Sequence, residues 1–172
     1  MIRAFDRHLE RAVTALVWVA CALIPCMFTM IVVDVSIRSF GITPPLFTTA
    51  VVEYSLLYLA MLSAPWLVRQ KGHVAIEALV QALPPHVREP LAKLVYLVCA
   101  VASLYFAFLG AQLFVEAVEV GNLDIRGIDM PYWLQFLPLP IGFALVGLEF
   151  LMFLAGLRHY YTYDLGEVKD SV

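Results

Sequence analysis

Charge is what this chain has least of for its size. Asp, Glu, Lys and Arg make up 15% of its 172 residues, where a soluble domain carries about a quarter, so a water-facing shell around a core cannot be assembled. Histidine is scarce and, for one purpose, misplaced: His8, His73, His86 and His159 all fall outside the long apolar runs. A membrane anchor for b-type haem needs axial ligands, usually histidine, at membrane depth, and none is offered. Cys21, Cys26 and Cys99 lie inside apolar runs with no CxxC spacing and no ligand-type neighbour. That is the setting of buried apolar thiols, not of a disulfide or a metal site. HExxH, a Walker loop and a dinucleotide fingerprint are all missing, and no Ser-His-Asp arrangement is evident. An enzymatic reading therefore has no residues to rest on, and neither metal nor cofactor is expected. No internal repeat is visible either, which leaves an inverted-repeat transporter core without support.

What the chain has instead is apolar length. Hydrophobic residues make up 62% of it, gathered into four runs. Ala12 to Val33 and Leu94 to Val115 carry no charge; Pro44 to Val68 and Met130 to Leu157 carry one each, Glu53 and Glu149. A hydrocarbon core needs roughly 20 apolar residues per helical crossing, and every run meets that length. The expected fold is an all-α membrane protein, one integral membrane domain over residues 1–172 with transmembrane helices at 12–33, 46–68, 92–115 and 132–157. The first run continues well past Ala20-Cys21-Ala22, too far for a signal-peptide core, so it is read as a retained helix.

The positive residues are segregated. Arg3, Arg7 and Arg11 precede span one, Arg69, Lys71, Arg88 and Lys93 lie between spans two and three, and Arg158 and Lys169 follow span four. The opposite side has Arg38 and Arg126 alone. Positive residues in short loops stay in the cytoplasm, which predicts a multi-pass protein with both termini there.

Local signals refine the picture. Asp34 and Arg38 are spaced for an i, i+4 pair that carries helix one beyond the apolar run, Gly41 breaks it, and Pro44-Pro45 sets the start of helix two. In His73 to Leu83, His73, Glu77 and Gln81 recur every four residues on an otherwise apolar cylinder, the pattern of a short amphipathic helix in the interface plane, ended by Pro84-Pro85. Ser103, Ala107 and Ala111, with Gly110 beside them, form a small-residue packing face on span three; the neighbour can lie in this chain or in another. The segment from Glu116 to Met130 holds four acids against Arg126 and reads as a solvated acidic loop facing outward, open also to an external partner.

Ionisable groups inside a span are costly and mark candidate sites. Glu53 lies about 12 Å along a helix from Pro45, and its depth calls for a polar partner, Arg38 or a residue of an adjoining subunit. Glu149 sits in the far half of span four, where Lys93 or Arg69 could reach it by snorkelling. Structural ion pairing, contact with a partner subunit, and ion or proton coupling are all open for both.

The order of these features resembles a known family. Arg38, a short loop, Glu53 in VVEYSLLYL, then Arg69-Gln70-Lys71-Gly72-His73-Val74, an apolar segment and Leu83-Pro84 look like the small membrane subunit of tripartite ATP-independent periplasmic (TRAP) transporters, the DctQ-like family. Trp133 with Leu137-Pro138-Leu139-Pro140-Ile141-Gly142-Phe143 resembles the start of that family's last helix. Ser63-Ala64-Pro65-Trp66 departs from the family, which usually has a glycine-containing turn late in span two.

The resemblance implies a non-catalytic permease subunit in a bacterial inner membrane. It would scaffold a large membrane subunit during ion-coupled uptake of a small organic anion, a carboxylate, delivered by a periplasmic binding protein. Sodium and substrate would bind the large subunit. Glu53, Arg38, Arg69, His73 and Glu149 are then expected as subunit-interface or structural polar contacts, with the lipid bilayer as surroundings and no nucleic acid partner. An independent small channel or transporter using Glu53 or Glu149, and the anchor of a redox complex, are the other classes open to such a chain.

Overall fold

The computed structural model describes residues 2–70, 85–125 and 129–156. Helix α1 spans Ile2–Ser39, α2 Phe47–Arg69 and α3 Pro85–Val120; a hairpin of β1 (Leu123–Ile125) and β2 (Asp129–Pro131) follows, then α4 (Tyr132–Phe136) and α5 (Pro138–Leu154). Four helical stretches are long and apolar enough to cross a membrane: Asp6–Ser39, Phe47–Arg69, Pro90–Val120, and Tyr132–Leu154, which joins α4 to α5. The amphipathic segment expected at 73–83, including His73, lies outside the described residues.

Helix α1 is much longer than its apolar run. Its 38 residues extend about 57 Å at 1.5 Å per residue, nearly twice a hydrocarbon thickness of about 30 Å. At its far end the i, i+4 pair forms, Arg38 Nη2 donating to Asp34 Oδ2 at 3.1 Å. The helix then stops at Gly41, whose φ of 76° is a left-handed conformation that costs glycine little. Helix α2 starts two residues after Pro45, whose carbonyl accepts from both the backbone and the hydroxyl of Thr48. It continues through the fully buried Pro65 as far as Arg69.

The helices pack in the spatial order α1, α2, α5, α3. Two apolar clusters hold them. Val68 of α2, Ala92, Tyr96 and Ala100 of α3, and Phe150 and Phe153 of α5 form one, with Tyr96 and Phe153 stacked at 5.6 Å between ring centroids. Leu9 and Val13 of α1 meet Met152 of α5, flanked by Trp66. Helix α5 touches both clusters and is the most enclosed of the spans, whereas α1 is the least.

Close backbone approach explains why α5 is central. A Cβ at Gly142 would stand 2.7 Å from the carbonyl oxygen of Met61 in α2, and one at Gly110 of α3 would meet Leu139 and Pro140, both at 3.1 Å. Gly110 therefore faces α5 of the same chain. Beside it on α3, Ser103 is buried and Ala107 and Ala111 are half-buried.

The segment after α3 departs from the expected solvated loop. β1 and β2 pair antiparallel, Leu123 opposite Pro131 and Ile125 opposite Asp129, and Tyr132 N donates to Asn122 O at 3.1 Å. Glu116, Glu119 and Asp129 are exposed as expected, but Asp124 is buried. Period-two alternation turns it inward between the exposed Leu123 and Ile125.

Candidate functional site

Polar groups are concentrated at the two ends of the bundle. At the end where α1 begins and α2 and α5 finish, Arg69 is the last helical residue of α2, so its side chain leaves the helix among its neighbours. Nη1 lies 3.1 Å from Oε1 of Glu149 on α5; Nη2 lies 3.1 Å from Oε2 of Glu10 and 3.5 Å from Oδ1 of Asp6, both on α1. One guanidinium thus gathers three carboxylates from two other helices. Glu149 is 0% exposed and the Arg69 side chain 10%, while Glu10 is 57% exposed.

Burial ranks these contacts. A carboxylate as enclosed as Glu149 needs a charged, hydrogen-bonded partner, and the guanidinium fork supplies more than one donor direction. Glu10 faces solvent, where an ion pair adds little. The site forms because Gly142 seats α5 against α2 and Glu149 follows about two turns later on the same face. Met61 and Arg69 are similarly spaced on α2, which runs parallel to α5.

The opposite end is tied by tyrosines. Tyr54 on α2 donates through its hydroxyl to Asp124 of β1, and Tyr58, one turn on, donates to the carbonyl of Leu134 in α4 at 2.5 Å. Both pin the hairpin and α4 onto α2. They also wall a cavity of about 270 Å³ together with Ser55 and Gln135. Among the described residues, Gln135 Oε1 is buried without a hydrogen-bond partner.

The residues singled out by sequence are distributed as follows. Arg69 and Glu149 meet. Arg38 pairs with Asp34 along its own helix instead of with Glu53, and Glu53 stands on an exposed face of α2. The reason is proximity: Asp34 is one turn away on the same helix. Lys93 is exposed, and Arg69 contacts Glu149 directly. Asp6, Glu10, Tyr54 and Asp124 were not singled out by sequence. Asp6 and Glu10 share an i, i+4 face with Leu9 and Val13, a signal hidden among the charges of the chain's first turns. Among the described residues no cluster of His, Cys, Asp and Glu could hold a metal ion.

What the hub does chemically is to fix the ends of three helices relative to one another, α2 to α5 by a charge-assisted hydrogen bond and α2 to α1 by ion pairs. Residues 27–159 match a protein family, the tripartite ATP-independent periplasmic transporters, DctQ component. No curated protein and no solved structure matches the chain. The matched stretch covers both polar ends apart from Asp6 and Glu10, and it is most of the chain; the protein belongs to the DctQ family, the small permease component of TRAP transporters.

Proposed function

We propose that this subunit is a fixed, non-catalytic scaffold for the large TRAP membrane subunit, in the bacterial inner membrane with both termini cytoplasmic. In this reading the large subunit binds sodium and carries a small carboxylate across, and a periplasmic protein delivers that substrate. The Arg69 hub then lies at the cytoplasmic end, where most of the Lys and Arg residues of the sequence gather, and the tyrosine-pinned hairpin faces the periplasm. Arg38 and Glu53 belong to the outer half as subunit contacts; Arg69 and His73 organise the inner turn.

The observation that carries the scaffold role is the hub itself. A static support under a moving partner needs helix ends that keep their register, and Arg69 ties three of them. Reconstitution in liposomes tests the reading. Vesicles holding both membrane subunits, supplied with the binding protein, should accumulate labelled carboxylate down a sodium gradient, and vesicles holding this chain alone should not. Flux through the isolated chain would contradict it.

A further inference from the structure

Helix α1 carries a polar-to-apolar stripe on its outward face of which the hub engages Glu10. Arg7, Glu10, Arg11, Thr14, Ala15 and Trp18 line an open groove of about 580 Å³ there. Arg7, Arg11, Ala15 and Trp18 are all exposed, Trp18 at 72%. Glu10, the acid in the groove, is turned to Arg69 at 3.1 Å, as is Asp6 at 3.5 Å. Among the described residues, Arg7 and Arg11 make no ion pair. The hub thus withdraws the two nearby acids and leaves two arginines, one turn apart, facing outward.

Depth completes the argument. Arg11 is the last charged residue before the apolar run that starts at Ala12, which puts the two guanidinium groups at headgroup level. Trp18 lies about 10 Å further along the helix, within reach of an acyl chain. Guanidinium groups are suited to phosphate oxygens, and tryptophan to the boundary between headgroup and chain. We infer that the Arg7, Arg11 and Trp18 stripe binds an acidic phospholipid, its phosphate on the two arginines and one acyl chain along Ala15 and Trp18. Neutral phospholipid lacks the net charge to compete, and free phosphate lacks the chain.

Native mass spectrometry of the full chain, purified with its membrane partner and equilibrated with equal phosphatidylglycerol and phosphatidylcholine, reads this directly. Phosphatidylglycerol should be retained about tenfold over phosphatidylcholine, and Arg7→Gln with Arg11→Gln should bring the ratio close to parity. Arg38→Gln, at the other end of α1, should leave the ratio unchanged. Trp18→Ala, with both arginines kept, should lower retention of phosphatidylglycerol several-fold. If the double variant does not fold, the single Arg11→Gln variant reads the same ratio. Equal retention of the two lipids by the wild type, an unchanged ratio in the arginine variants, or displacement of phosphatidylglycerol by millimolar inorganic phosphate would each overturn the site.

Discussion

Arg69 and Glu149 depend on each other unequally. Removing the arginine strips a fully buried carboxylate of the guanidinium it pairs with, so Arg69→Ala should lower stability by about 3–5 kcal/mol, measured by thermal or denaturant unfolding in detergent. Replacing both partners by apolar residues, Arg69→Met with Glu149→Leu, should recover most of that loss, because a buried pair repays its desolvation only partly. Glu10→Gln should cost no more than about 1 kcal/mol, since that carboxylate is largely exposed. Gln135 offers the opposite test. Its buried Oε1 has no partner among the described residues, so Gln135→Leu should be neutral or slightly stabilising in the same assay. A clear destabilisation would show that the amide is satisfied in the folded protein.

Contacts between helices are set by small residues, and their sensitivity follows what each one faces. An added methyl at Gly142 meets the Met61 backbone at 2.7 Å, whereas at Gly147 the nearest atom is the tip of the Leu104 side chain at 2.9 Å. Backbone cannot yield as a leucine rotamer can, so Gly142→Ala should cost about 1–3 kcal/mol and Gly147→Ala clearly less. Comparable losses at both positions would argue against this seating of α5 on α2. The helices themselves were legible in the sequence because apolar length and composition mark a crossing directly. The far end of α1 was legible too, in the Asp34 and Arg38 spacing and Gly41, but its beginning was not, since the helix already runs through the charged residues ahead of Ala12. Glu149 was legible as a costly buried acid and Arg69 as one of its possible partners. Asp6 and Glu10 were hidden because charges flanking a span look alike whether they face water or a neighbouring arginine. Asp124 was hidden because the hairpin that turns it inward is only three residues per strand.

For the whole molecule, the proposed orientation rests on the distribution of Lys and Arg and is tested with reporter cysteines in a background lacking Cys21, Cys26 and Cys99. Asn122→Cys, exposed at the hairpin end, should react with an impermeant maleimide added to intact spheroplasts, and Gln70→Cys, exposed beside the hub, only after permeabilisation. The reverse pattern would place the hub outside and remove the basis for cytoplasmic termini. Membership of the DctQ family makes assembly the central matter, and the most direct test is purification in gentle detergent of the tagged chain expressed with its neighbouring genes, followed by mass spectrometry of what comes with it. A large polytopic membrane protein should be recovered in equal amount. Recovery of this chain alone, still folded, would contradict the account of it as a transporter's small subunit.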